Sequence, residues 1–219
     1  LESYLKKQGW SSTKITMVAN GVVTPGSLPD RPTPKSEWTI GSVALFRPRK
    51  GVEVLIQALS NLRQMGEVVR LRAVGPFETV EYEETIKEMA ARLGVADMID
   101  WIGFAQNVNA EFAKMDVLVL PSLFGEGMPM VILEAMAMGV PVVASDVEGI
   151  PEVLQHAHTG LVVPAGDAPQ LASALFDLIN NKYNWAAMRA DAYSLQVKSF
   201  SDHSMAAGVA RVYNRILAR

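Results

Sequence analysis

The sequence predicts a doubly wound α/β domain, in which helices cover both faces of a parallel, Rossmann-like sheet. About seven short apolar runs alternate with longer segments of helical spacing, and the connections between them are short. The run 116–120 is continuously apolar after its first residue, as a strand that is buried on both faces must be. In sheets of this kind, ligands bind beyond the carboxyl ends of the strands. A functional site is therefore expected in the loops that follow the strands.

Composition and charge argue against several classes of protein. The chain has 219 residues, of which 49% are hydrophobic and 20% are charged, as in an ordinary globular protein. The net charge of −3 and the scattered Lys and Arg residues argue against nucleic-acid binding. Because the chain has no cysteine, neither a disulfide nor a thiolate metal site can form. It has no run of eighteen apolar residues, so we expect no membrane span and take a cytoplasmic location as the default.

The first part of the chain is predicted to be a connecting segment. Residues 2–9 have the spacing of a helix that ends at Gly9, and Ile15–Ala19 is predicted as a short strand. Thr24–Ser36 contains four prolines and is therefore predicted to lack regular structure. The chain starts without Met, in the middle of a polar, helix-like segment. We therefore expect it to be a piece of a longer protein.

Strands and helices alternate along the rest of the chain. The remaining predicted strands are 39–45, 68–74, 98–103, 116–120, 140–144 and 159–164. The predicted helices are 51–65, 80–93, 129–138, 169–179, 184–195 and 201–217. Asp167 and Ser201 are placed to cap two of them, and Gly139 stands just past the end of the helix that starts at Pro129.

The most informative stretch joins the strand 116–120 to the helix that follows it. Glu134 is the only charged residue in 127–145, and a carboxylate among apolar neighbours needs a partner. Its side chain leans back over Met130 and Val131, toward the start of the helix, and Glu126 reaches the same place from the loop. The two carboxylates would bracket free N–H groups of the first helical turn. A ligand with both phosphate and hydroxyl groups fits such a site. The alternative is that Glu134 pairs with a core Arg or Lys, and that Glu126 is an ordinary surface residue.

A second candidate region is the basic loop after the first strand of the sheet. Arg47, Arg49 and Lys50 lie in this loop, directly before the helix that opens at Gly51. Cations at the carboxyl end of a strand are suited to the charge of a diphosphate. The alternative is a solvated basic turn.

The segment from Glu126 to Glu134 resembles the E-x7-E motif of retaining GT-B glycosyltransferases, in particular those of glycosyltransferase family 4. The usual form of the motif has Phe-Gly where Met128 and Pro129 stand here. The resemblance implies that Glu126 lies beside the transferred sugar, and that Glu134 holds the ribose hydroxyls of a nucleotide-sugar donor. It also implies donor-binding roles for residues around the start of the helix: Gly127, Met128, Met130 and Val131.

Other short segments of the sequence resemble motifs of the same family, and they occur in the order in which the family has them. The family usually shows Gly-Arg, four residues, then Lys-Gly, whereas here only two residues separate Arg47 from Lys50. The resemblance implies that Arg47 and Lys50 act on the donor diphosphate during catalysis, and it leaves open whether Arg49 takes one of these roles. Gly75 keeps part of a Gly-rich turn near the nucleobase, and Glu148 stands at the first glycine of a Gly-Gly-Ile-x-Glu phrase. The G-x-G-x-x-G fingerprint of NAD-binding domains is absent.

The resemblance covers roughly residues 12–198 and implies the C-terminal half of a GT-B fold. It implies an interdomain segment at 1–38 and a donor-binding, Rossmann-like domain at 39–198. The C-terminal helix, 199–219, is expected to pack on an N-terminal, acceptor-binding domain.

The implied reaction moves a sugar from a nucleoside diphosphate sugar to an acceptor hydroxyl, with retention at the anomeric carbon. Neither a cofactor nor a metal is expected, and the partners are the nucleotide sugar and the N-terminal domain. The chain alone is expected to bind the donor without transferring sugar. The resemblance leaves peripheral membrane association of a full-length protein open. Two alternatives remain, a GT-B-fold sugar-nucleotide epimerase and a non-catalytic nucleotide-binding or interaction module.

Overall fold

The computed structural model of the chain describes residues 7–11 and 15–218. Its centre is a six-stranded sheet with the order β3-β2-β1-β4-β5-β6, in which every neighbouring pair is parallel. The strands are β1 Trp38–Val43, β2 Val69–Val74, β3 Ile99–Gly103, β4 Val117–Leu120, β5 Val142–Ser145 and β6 Leu161–Val163. The predicted doubly wound, parallel sheet is therefore confirmed.

Helices follow the strands and cover both faces of the sheet. The α-helices of the described residues are α1 Val52–Gln64, α2 Val80–Arg92, α3 Val108–Phe112, α4 Met130–Ala137, α5 Ile150–Val153, α6 Ala168–Ile179, α7 Trp185–Leu195 and α8 Asp202–Leu217. Short 3₁₀ helices cover Pro48–Lys50 and Ala96–Met98, and a π-helical segment, Gln196–Phe200, joins α7 to α8. The predicted caps are present, because Asp167 accepts a hydrogen bond from the Gln170 N–H (2.9 Å) and Ser201 accepts one from the Ser204 N–H (3.1 Å).

The core consists of two apolar clusters, one on each face of the sheet. Val117 and Val119 of β4 belong to the cluster that also holds buried residues of α1, α2 and α6. Leu118 and Leu120, which alternate with them, belong to the cluster that holds residues of α3, α4 and α5. Successive side chains of a strand point to opposite faces, so a strand covered on both sides has no polar position. This explains the uninterrupted apolar run in the sequence.

The prediction of a strand at Ile15–Ala19 is wrong, and six strands rather than about seven form the sheet. Residues 15–19 lie alongside α8 instead of pairing with an edge of the sheet. The Arg215 guanidinium donates to the Thr16 hydroxyl, and a Cβ on Gly208 of α8 would lie only 2.8 Å from Val18. An apolar run of this length fits either surface, and the pattern alone does not distinguish them. The helix predicted at 2–9 lies mostly outside the described residues.

The proline-containing segment, Thr24–Ser36, has no helix or strand, as predicted, but it is fastened to the domain at several points. Arg189 of α7 is only 5% exposed and donates to the carbonyl oxygens of Gly139 (2.7 Å), Pro29 (2.7 Å) and Arg31 (3.2 Å). The Tyr193 hydroxyl donates to the Pro25 carbonyl at 2.7 Å. The segment therefore packs on the domain that follows the predicted boundary at residue 38.

Candidate functional site

The candidate site lies at the carboxyl edge of the sheet, where the strand order reverses. The order passes from β1 outward to β3 on one side and from β4 outward to β6 on the other, so β1 and β4 are neighbours at the reversal. The loops after these two strands diverge to opposite faces, which opens a crevice between them. The basic loop 46–51 follows β1, and the loop 121–129 follows β4.

The two loops are joined through their backbones. The Leu123 N–H donates to the Arg49 carbonyl oxygen at 2.9 Å. Gly51 has a φ of 65°, and a Cβ at this position would lie 2.0 Å from the Pro121 carbonyl oxygen. Only glycine tolerates both the left-handed conformation and this close approach. The short 3₁₀ turn Pro48–Lys50 is thereby held against the loop after β4.

Lys50 and Glu126 form an ion pair between the two loops. Their side chains are only 15% and 7% exposed, and the Ser122 hydroxyl donates to the same carboxylate oxygen of Glu126 at 2.6 Å. Two of the predicted catalytic residues are therefore in direct contact. The alternative interpretation of Glu126 as an ordinary surface residue does not agree with its burial.

The other two cations of the basic loop point to different places. Arg49 donates to the Gly125 carbonyl oxygen at 2.8 Å, so it lies beside the loop that carries Glu126. Arg47 forms an ion pair with Glu78, which follows β2, with 3.4 Å between the nitrogen and oxygen atoms. The Nε of Arg47 is buried without a hydrogen-bond partner among the described residues. The role of Arg47 on a diphosphate stays a prediction. Arg49 contacts the loop that carries Glu126, whereas Arg47 contacts Glu78.

A third loop, after β5, contacts the Glu126 loop from the opposite side. The Glu148 carboxylate accepts hydrogen bonds from the N–H groups of Gly125 (3.0 Å) and Glu126 (3.1 Å). These bonds, together with the charge of Arg49, hold the pKa of Glu148 below its usual value. The Gly149 N–H in turn donates to the Glu126 carbonyl oxygen at 3.0 Å.

A cleft of about 450 Å³ opens beside these loops. Its walls include Glu126, Gly127 and Met128 on one side, and Glu148, Gly149 and Glu152 on the other. The irregular segment near the N-terminus contributes Met17, Val18 and Asn20. The cleft therefore combines carboxylates with backbone groups, which suits a ligand rich in hydroxyl groups.

Glu134 lies in the middle of α4 and is half-buried. No hydrogen bond or ion pair to its side chain is found within residues 7–11 and 15–218, so the alternative of a core Arg or Lys partner is not realised there. Burial raises its pKa, because the charged form loses hydration without gaining a partner. The predicted helix is confirmed with slightly different ends, since Pro129 is the residue before its first turn.

The remaining predicted donor-binding residues lie at the same edge of the sheet. Met130 and Val131 form the first turn of α4, and Met130 is 40% exposed. Gly75 follows β2 with a φ of 126°, and a Cβ there would lie 1.8 Å from the Ala44 carbonyl oxygen. This close approach, rather than contact with any ligand, is enough to explain a glycine at position 75.

Sequence reasoning missed two residues of the site. Ser122 bonds to Glu126, but a serine after a strand carries no distinguishing pattern. Glu148 was noted only as a departure from a glycine phrase, and in the structure it has a φ of 32°, where glycine is favoured. A charged residue at a glycine position was the available signal.

Two absences concern only the described part of the chain. Within it, no group of three or more His, Asp or Glu side chains is arranged to hold a metal ion. Nor does any helix in these residues have the length and apolar character needed to cross a membrane.

Comparison with known proteins decides the family. The sequence model of the family Glycosyl transferases group 1 matches residues 27–194. The chain belongs to this family. A curated relative, the phosphatidyl-myo-inositol mannosyltransferase of Mycobacterium leprae, is 32% identical over 209 residues, which cover 91% of this chain and 53% of the relative. The chain thus spans about half the length of this relative.

Two solved structures have the same fold as this chain. Anabaena HepE in complex with UDP-glucose superposes with a TM-score of 0.76 and 25% identity, over 82% of this chain and 49% of HepE. The C-terminal domain of LpcC, a group 1 family protein of Francisella tularensis, has a TM-score of 0.69 and 21% identity, over 75% of this chain and 87% of that domain. The resemblance to the C-terminal half of a GT-B glycosyltransferase is confirmed, and the prediction of family 4 is consistent with it.

Proposed function

We propose that this chain is the donor-binding half of a retaining glycosyltransferase, which moves a sugar from a nucleoside diphosphate sugar to an acceptor hydroxyl. The observation that carries the proposal is the ion pair of Lys50 and Glu126 at the reversal of strand order. It supports the proposal because a cation suited to phosphate and a carboxylate suited to hydroxyl groups lie side by side, at the edge of the sheet where α/β proteins bind ligands.

The leaving diphosphate is the group that most needs stabilisation. When the bond between the anomeric carbon and the phosphate oxygen breaks, negative charge develops on the diphosphate. Lys50 is in place to receive it, and Arg47 or Arg49 supplies a second cation from the same loop. The N–H groups of Met130 and Val131, in the first turn of α4, have no acceptor within the helix and add the positive end of its dipole.

The two carboxylates then act on hydroxyl groups. Glu126 faces the cleft from the loop and positions the transferred sugar. Glu134 is half-buried with a raised pKa, so hydroxyl donors from a ribose would stabilise its charged form. We propose that no cofactor takes part, because the cations of the basic loop and the start of α4 supply positive charge for the diphosphate.

The acceptor is proposed to bind to a second, N-terminal domain of the full-length protein. One face of α8 leaves large apolar side chains in solvent, including Tyr213 (62% exposed) and Ile216 (59%). Exposed apolar faces of this kind are typical of surfaces that pack on another domain. The chain alone would therefore bind a donor but lack the groups that hold an acceptor.

The relatives support this proposal by what they bind and transfer. HepE was solved with UDP-glucose, and the relative from Mycobacterium leprae is a mannosyltransferase.

The proposal is tested by calorimetric titration of the chain with UDP, GDP and ADP. We expect one diphosphate to bind preferentially, and Lys50→Ala and Glu134→Ala each to weaken its binding roughly tenfold or more. Lys87→Ala is the matched control, because Lys87 lies on α2 and pairs with Glu83. Failure of a well-folded sample to bind any of the three would contradict the proposal. Turnover by the full-length protein then separates a transferase from an epimerase, which would need no acceptor, and from a module without chemistry.

A further inference from the structure

Glu148 adopts a backbone conformation that is unfavourable for its residue type. It lies between β5 and α5 with a φ of 32°, inside the left-handed region that favours glycine. A non-glycine residue persists there only when its surroundings fix it. In Glu148 the fixing contacts come from its own carboxylate, which accepts from the N–H groups of Gly125 and Glu126.

These two bonds complete a set of contacts around the peptide units of the Glu126 loop. The carbonyl oxygen of Gly125 accepts from Arg49 at 2.8 Å, and that of Glu126 accepts from the Gly149 N–H at 3.0 Å. The N–H groups of the same two residues are taken by Glu148. Both polar groups of each residue are thus bonded to neighbouring loops, so the backbone that carries the Glu126 side chain has little freedom to rotate.

The loop after β5 also packs closely against the Glu126 loop at Gly149. A Cβ on Gly149 would lie 1.5 Å from the Gly127 carbonyl oxygen, so the loop after β5 is in direct contact with the Glu126 loop. Glu148 is exposed and lines the same cleft as Glu126. Its carboxylate is nevertheless directed at backbone N–H groups, which distinguishes its role from that of a group that touches the substrate.

We propose that Glu148 is a positioning residue, which fixes the backbone of Gly125 and Glu126 so that the Glu126 carboxylate faces the sugar of the donor. The identity of the ligand in this inference rests on the proposed function. The two hydrogen bonds from the N–H groups of Gly125 and Glu126 to the Glu148 carboxylate, which we call the clamp, do not rest on it, because they belong to the free protein. We assign Glu148 no catalytic role, although it lines the cleft, because both oxygens of its carboxylate accept from backbone N–H groups.

The clamp is tested by amide hydrogen exchange, followed by NMR in the unliganded chain. In Glu148→Ala we expect the amides of Gly125 and Glu126 to exchange roughly tenfold faster or more, since both acceptors are lost. Glu148→Gln keeps one acceptor oxygen and should give an intermediate effect. Asp146→Asn removes the same charge two residues earlier and should leave both amides unchanged. If Glu148→Ala fails to fold, Glu148→Gly replaces it, because glycine accepts a positive φ without strain.

The positioning role is tested by comparing the affinity for a nucleoside diphosphate with the affinity for the same diphosphate joined to a sugar. The chain and its variants are titrated with UDP and UDP-glucose, with GDP and GDP-mannose, and with ADP and ADP-glucose. In Glu148→Ala we expect unchanged affinity for the bare diphosphate that binds, but roughly five- to tenfold weaker binding of its sugar conjugate. A general structural defect would weaken both ligands alike.

Each outcome decides a separate claim. Unchanged amide exchange in a folded Glu148→Ala variant would overturn the clamp. Faster exchange with an unchanged sugar contribution would overturn the positioning role. If the unsubstituted chain binds none of the six ligands, the proposed function and the positioning role fail together, while the exchange data still show whether the clamp exists.

Discussion

Lys50 and Glu126 are 76 positions apart in the chain, yet they pair across the two strands at which the sheet reverses its order. Both side chains are largely buried, and Ser122 provides a further hydrogen bond to the carboxylate. Buried charges are costly unless they are paired. The pair is therefore important for the fold as well as for the proposed site, and the two contributions can be separated by substitution.

Lys50→Met is expected to destabilise the chain, because it leaves the Glu126 carboxylate buried with Ser122 as its remaining partner. The free energy of unfolding should fall by about 2–4 kcal/mol. The double variant Lys50→Met/Glu126→Gln removes both charges and should recover most of this loss. Neither variant should bind a nucleoside diphosphate sugar. Urea denaturation measures the first effect and calorimetric titration the second. A double variant that is less stable than Lys50→Met would show that charge pairing is not the cause.

Glu134→Gln is expected to raise thermal stability at neutral pH while weakening nucleotide binding. Burial raises the pKa of Glu134 in the folded state, so its contribution to stability is fully present below the unfolded pKa and is lost as pH rises through the raised folded pKa. The advantage of Gln should therefore be absent near pH 4 and grow above about pH 4.5. A rise in Tm of ~1–4 °C is expected at pH 7, after allowance for partial exposure. Thermal unfolding of both proteins from about pH 4 to about pH 8 measures it. A wild-type protein that is the more stable at pH 7 would reveal a partner for Glu134.

Arg189→Lys is expected to destabilise the chain despite keeping the charge. The guanidinium bonds to three carbonyl oxygens and lies 4.7 Å from the centre of the Trp185 ring, a geometry that a lysine ammonium cannot reproduce. The free energy of unfolding should fall by about 2–4 kcal/mol. Denaturant unfolding measures the change. Arg92→Ala is the control, since Arg92 is exposed on α2, and it should change stability by less than about 0.5 kcal/mol.

Gly149→Ala is expected to disturb the junction between the loop after β5 and the Glu126 loop. The added Cβ would overlap the Gly127 carbonyl oxygen, so one of the two backbones must move, at a cost of about 1–3 kcal/mol. Nucleotide-sugar binding should weaken together with stability. Gly26→Ala provides the comparison, because a Cβ there meets nothing within 4 Å. Equal behaviour of the two variants in thermal unfolding and in titration would contradict this reading of the contact.

Several features of the fold follow from short stretches of sequence. Continuous apolar runs predict buried parallel strands, and the caps at Asp167 and Ser201 predict two helix starts, because these signals depend on neighbouring residues only. The E-x7-E spacing and the basic loop likewise name Glu126, Glu134 and Lys50 without reference to distant parts of the chain. The sequence alone thus determined the class of fold, the family resemblance and most of the candidate site.

The tertiary structure decided which of these residues meet. Arg47 pairs with Glu78 and Lys50 with Glu126, although both cations stand in one short loop, because the directions of their side chains depend on the loops across the crevice. Ile15–Ala19 lies alongside a helix rather than in the sheet. Its apolar pattern fits either position equally well. The contact of Glu148 with the Glu126 loop requires both a left-handed residue and the neighbouring placement of β4 and β5. Strand order and backbone conformation at single positions are not encoded in local periodicity, since they arise only when distant segments pack together.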